Sequence, residues 1–137
     1  MAKFDLGCGG SKPDGYIGLD QNQQGQTDIV CDLSKGIPLP DNYADEIRAY
    51  DFIEHIADKL FLINEIHRVS KPGCIIDISV PSTDGRGAWQ DPDHKSWWNE
   101  NSFYYYTALF EIISLCTTDM VLGGVCHVKA ILKSIKA

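Results

Sequence analysis

Short apolar runs open the chain and follow one another closely. Residues 3–6 (KFDL) form the first and stop at Gly7; 16–20 (YIGLD) and 28–31 (DIVC) follow, and 44–50 (ADEIRAY) is a weaker fourth. The clearest is 74–80 (CIIDISV), bounded by Pro72-Gly73 before it and Pro81 after it. Each reads as a strand. Between the fourth and fifth, Leu60, Leu62, Ile63, Ile66 and Val69 recur at helical spacing. Asp58 is placed to cap that helix, and Lys71-Pro72-Gly73 ends it. Strand, helix and strand then make a right-handed βαβ unit. A stretch dense in Gly, Asp and Trp (82–99) reads as irregular. A short helix over 101–108 follows, then two β-rich runs, 111–121 and 125–135, with Gly123-Gly124 between them as a hairpin signal.

The spacing carries a further expectation. Nine residues separate the first two strands and seven the next two. A parallel crossover normally takes a dozen or more, most often with a helix. The early crossovers are therefore loops, and one face of the sheet lacks helical cover. The strands agree: Ile47 and Ala49 alternate with Arg48 and Tyr50, and Ile76, Ile78 and Val80 with Ile75, Asp77 and Ser79. A parallel strand buried on both sides reads instead as an unbroken apolar run. One face is expected to pack against the helix near 58–69. The other is expected to be wetter, with Arg48 and Asp77 pairing across strands or a second subunit covering it as a homodimer.

Composition narrows the class. A chain of 137 residues is expected to form a single domain, 1–137. With 44% hydrophobic and 23% charged residues it is ordinary globular material, and no apolar run approaches the ~20 residues that span a bilayer. The opening Met1-Ala2-Lys3-Phe4-Asp5 has no signal-peptide core. The net charge of −7 and pI near 4.9 argue against nucleic acid as a partner. The five cysteines are odd in number and none sit at CxxC spacing, which argues against a disulfide framework or zinc site and for a reducing, cytoplasmic setting. No metal is expected.

Chemistry concentrates where the first strand ends. Phe4-Asp5-Leu6-Gly7-Cys8-Gly9-Gly10 is a strand followed by a glycine-rich turn, in which the backbone can approach a ligand. A dinucleotide fingerprint needs a third glycine at position 12, which is Lys12, and a helix where Pro13 and Gly15 stand. A triphosphate loop needs Gly-Lys-Ser/Thr, which is absent. S-adenosylmethionine (SAM) carries no phosphate and needs neither.

Taken in order, these segments resemble the class I SAM-dependent methyltransferases, in their compact type 11-like branch. FDLGCGG resembles the first family motif, GYIGLD the second strand with its terminal acid, and DIVCDL the third motif. NEIHRVSKPGCIIDISVP is similar to the family's helix-to-strand segment, and DPDHKSWWNENSF to a segment near the acceptor. The resemblance implies an α/β Rossmann-like sheet of order 3-2-1-4-5-7-6, reduced by the missing helices after strands one and two and ending in an antiparallel hairpin. It also implies methyl transfer to a small-molecule or saccharide-type acceptor. Asp5 would order the amino-acid end of SAM, with Gly7, Cys8 and Gly9 presenting backbone to it. Asp20 would take the ribose hydroxyls, Asp32 the adenine amino group, Leu33 would pack on the adenine ring, and Tyr50 would sit near the sulfonium. His94 is the candidate general base. His55, beside Glu54, reads equally as a helix-entry residue or an acceptor-site residue. The rival reading is a SAM-fold module without catalysis, acting through an interface.

Overall fold

The computed structural model describes residues 1–23 and 25–136. Seven strands, β1 (Lys3–Leu6), β2 (Ile17–Asp20), β3 (Ile29–Val30), β4 (Ala44–Tyr50), β5 (Ser70–Pro81), β6 (Phe110–Thr117) and β7 (His127–Ser134), form one sheet. Its order is β3-β2-β1-β4-β5-β7-β6. β1 to β5 pair in parallel, while β7 lies antiparallel between β5 and β6. Among the described residues no helix joins β1 to β2 or β2 to β3, as the short spacings require. The hairpin strands are shorter than the apolar runs suggest, because residues 118–126 leave the ladder for a loop closed by a Val121–Val125 bridge.

The helix α1 (Lys59–Val69) forms where its spacing places it. Asp58 caps it, accepting from the Phe61 N–H at 3.0 Å. Leu62, Ile63, Ile66 and Val69 form its buried stripe. They share one core with Ile47 and Ala49 of β4, Ile76 and Ile78 of β5, and Val128 and Ala130 of β7. Two further helices are single turns, α2 (Gly87–Gln90) and α3 (Glu100–Phe103), the latter continuing as a 3-10 turn through Tyr106. The connection from β3 to β4 holds a single 3-10 turn and is pinned by a side chain: Arg68 of α1 donates to Glu65, to Asp41 and to the carbonyls of Ile37 and Leu39.

The opposite face has no helix on it among the described residues. Period-two alternation sends Glu46, Arg48 and Tyr50 of β4 there, all half-buried, next to Asp5 of β1 and Asp77 of β5. The ion pair on this face differs from the expected one. Arg48 is in register with both Asp5 and Asp77, but its Nη1 donates to Asp5 at 2.9 Å. Asp77 instead accepts from the Tyr50 hydroxyl at 2.8 Å. The guanidinium lies over the Tyr50 ring, 3.9 Å from its centroid, so a single stacked unit spans three strands.

Candidate functional site

The first two strands stop side by side, and their ends are tied together. The N–H groups of Gly7 and Cys8 both donate to the Leu19 carbonyl. Gly7 has φ +66°, and a Cβ there would lie 2.5 Å from the Phe52 ring, so this turn admits only glycine. Gly9, at φ +59°, faces open space, and its N–H donates to Asp20 Oδ2 at 2.9 Å. Asp20 Oδ1 accepts from the Asn22 N–H at 3.0 Å. Each oxygen keeps a further lone pair for a ligand hydroxyl.

One layer further out, Asp32 caps a 3-10 turn, Leu33–Lys35. Its Oδ1 accepts from the Ser34 hydroxyl at 2.6 Å and the Ser34 N–H at 3.1 Å, and these bonds hold its carboxyl below the usual range. Gly7, Gly9, Asp20, Asp32 and Leu33 line one cavity of about 660 Å³. It opens at the carboxyl ends of the parallel strands, where open α/β sheets bind their ligands. Its volume falls in the ordinary range for small-molecule sites.

The other wall starts where β4 ends. Asp51 is held at φ +50°, with its N–H on the Ser79 carbonyl and its carboxylate 3.1 Å from His127 Nε2. Such a conformation in a non-glycine residue is uncommon and gathers at functional sites. A 3-10 turn, Ile53–His55, follows. Asp51, Phe52 and His55 line the cavity, joined by Asp93 and Lys95 from the irregular stretch. Behind His55 lies Glu54, only 2% exposed. Burial pushes its carboxyl up to about 7, with Asp51 and Asp91 adding to the shift and His94 opposing it.

Residues 14–76, just under half of the chain, match the model of the methyltransferase domain family. The fold is similar to that of the [4+2]-cyclase SpnF, with a TM-score of 0.79 at 16% identity over 99% of this chain and 75% of that one. It is also similar to a methyltransferase of Bacillus halodurans (0.76, 12%, covering 98% and 93%). A third similar structure is the 1,6-didemethyltoxoflavin-N1-methyltransferase of Burkholderia thailandensis (0.74, 14%, covering 98% and 71%), which was solved with S-adenosylhomocysteine. The chain has the fold of these solved structures, and its partial match is to a methyltransferase domain. Among curated proteins none matches the sequence. No helix among the described residues is long and apolar enough to cross a membrane.

The residues present fit the cofactor of such a domain. The open space at Gly9 beside the Asp20 carboxylate would receive its polar end and ribose, and Leu33 offers an apolar surface next to Asp32. Five of the sequence-predicted residues therefore meet around one cavity. Four others do not line it. Asp5 lies on the helix-free face, buried and paired with Arg48; burial raises its carboxyl above the usual range, outweighing the lowering by Arg48. Cys8 turns its thiol inward, 3.7 Å from Thr27 Oγ1. Tyr50 shares a face with Arg48, and its ring lies against that guanidinium with its hydroxyl on Asp77 rather than along the cavity.

His94 stands one layer behind His55, with ring centroids 5.0 Å apart and its side chain 6% exposed. Of the two histidines, it is His55 that faces the cavity. Residue-by-residue reading missed Asp51, Phe52, Asp93 and Lys95. The available signal was the acidic pair inside the apolar run Asp51-Phe52-Ile53-Glu54-His55, where a buried carboxylate needs a reason.

Proposed function

We propose that this domain binds SAM between the glycine turn, Asp20 and Asp32, and transfers its methyl group to a small-molecule or saccharide-type acceptor. The observation that carries the reading is the clamp of the Gly9 N–H on Asp20 at the mouth of one cavity. Bound there, SAM supplies an electrophilic methyl on its sulfonium, so the protein needs no nucleophile of its own. Asp20 would accept from the two ribose hydroxyls through charge-assisted bonds. Asp32, whose Oδ2 is not used by the cap, would accept from the adenine amino group while Leu33 packs on the ring.

The acceptor would enter from the side of Asp51, His55 and Asp93, and its proton would leave through His55. The acidic chain, with no basic stripe, argues against a nucleic-acid acceptor. A homodimer across the helix-free face and a cytoplasmic setting complete the proposal; light scattering tests the first and fractionation the second.

Calorimetry tests the cofactor reading directly. SAM should bind at micromolar concentration, and Asp20→Ala should weaken it roughly 100-fold, the loss of two hydrogen bonds to a charged group. No heat at millimolar SAM would overturn the reading. A SAM-consumption screen across acceptor classes, with His55→Ala as the inactive control, would then identify the acceptor.

A further inference from the structure

Beside the cavity, three side chains direct lone pairs into one small space. His55 Nε2 and His94 Nε2 each lie 3.9 Å from Glu54 Oε2. That distance is too long for a hydrogen bond. The ligand-capable atoms of the three residues all lie within 4.8 Å of one another. The other ring nitrogens settle the protonation. His55 Nδ1 is 3.2 Å from the Asp93 carbonyl, and His94 Nδ1 is 3.0 Å from the Ala88 carbonyl. A carbonyl only accepts, so in both rings Nδ1 carries the hydrogen, and in the neutral form Nε2 is left with a free lone pair. This is the arrangement by which metal-ligating histidines are oriented: the second nitrogen donates to a backbone carbonyl and the first points at the ion.

Glu54 adds an independent observation. Its side chain is buried, and its Oε1 has no hydrogen-bond partner. Among the described residues, the basic groups within 4 Å of its carboxylate are the two imidazoles alone. A buried carboxylate oxygen left without a partner is costly. A cation between the three groups removes that cost. Two imidazoles and one carboxylate form a donor set suited to a borderline divalent ion with an open position. Ligands of such an ion sit ~3.3 Å apart, so the two glutamate–histidine distances would shorten by ~0.6 Å and the widest spacing by up to ~1.5 Å. Asp91 Oδ2, 3.5 Å from His94 Nε2, is a flanking carboxylate that strengthens the local negative field.

We propose that Glu54, His55 and His94 bind one divalent transition-metal ion of the zinc class. His55 lines the cavity, so the ion would stand at its acceptor end. The metal site does not depend on the cofactor reading. Only its role does: if the cavity holds SAM, the ion would polarise an acceptor oxygen and take over from His55 in easing loss of its proton, which would pass to water because a ligating Nε2 accepts none.

The test uses chelator-treated full chain titrated with zinc chloride by calorimetry, and with cobalt chloride as a visible-absorption probe. One equivalent should bind. Glu54→Gln, close in size and folded by circular dichroism, should weaken binding by ~100-fold or more, as should His94→Ala. His67→Ala, which removes a histidine outside the cluster, should bind as the parent does. Equal zinc affinity in the parent and Glu54→Gln, or no cobalt absorption change in the parent, would overturn the site even if His94→Ala fails to fold. SAM titrations on the same samples separate the two ideas. Zinc binding without SAM binding removes the cofactor reading alone, and SAM binding without zinc binding removes the metal site alone.

Discussion

The two faces of the sheet solve the burial problem in opposite ways. On one, Ile47, Ile76, Ile78, Val128 and Ala130 pack under α1, and the face is held by apolar contact. On the other, Asp5, Arg48, Tyr50 and Asp77 form a run of ion pair, ring stacking and hydrogen bond that uses no helix at all. The first arrangement spreads its energy over many non-directional contacts. The second depends on each member satisfying its neighbour, and its charged centre is partly desolvated: the Asp5 side chain is 3% exposed against 23% for Arg48. A layer of helix can thus be replaced by polar partners, provided they are locked in register across strands.

Mutations on the two faces should separate these modes. Ile63→Ala or Ile76→Ala on the packed face should cost about 3 kcal/mol in urea unfolding, the transfer loss plus a cavity. Arg48→Ala should cost about 2 kcal/mol, since it strands a buried carboxylate beside partial solvent. The paired change Asp5→Leu with Arg48→Met should return to within about 1 kcal/mol of the parent, because buried pairs and apolar isosteres often balance. A double variant as unstable as Arg48→Ala would mean that the polar face contributes through more than its own pairing. Asp58→Ala at the α1 cap should cost about 1 kcal/mol.

The smallest effect concerns pH. Burial raises the Asp5 carboxyl in the folded chain, with Arg48 opposing. The stability linked to it is complete below the ordinary aspartate range and declines as pH rises through the folded value. Stability measured for Asp5→Asn should therefore improve relative to the parent as pH climbs through that window. A constant difference would show that Asp5 ionises normally.

Much of the fold could be read from the residues, because strand period, helix period and connection length are local quantities. The α1 cap at Asp58, the loop crossovers and the 3-2-1-4-5-7-6 order all follow from spacing or from resemblance. The half of the cavity built from β1, β2 and β3 was also legible, since its residues stand directly at strand ends. The opposite wall was not. Asp93 and Lys95 reach it from an irregular stretch whose path no period encodes; the Lys95 N–H is fixed on the Glu54 carbonyl, 41 residues earlier in the chain by the numbering of the two residues. Tyr50 is instructive in the other direction. The alternation that set Ile47 and Ala49 against Arg48 and Tyr50 already placed its ring on the far face, and the resemblance pointed elsewhere.

The position of β7 has a consequence for how the molecule is made. It follows β6 in the chain, yet it lies inside the sheet and provides the neighbour for both β5 and β6. Until it emerges, β6 has no ladder to join, and one side of β5 exposes a bare row of main-chain donors and acceptors. The growing polypeptide therefore holds an incomplete sheet open until β7 has been made, with two unsatisfied edges at that seam.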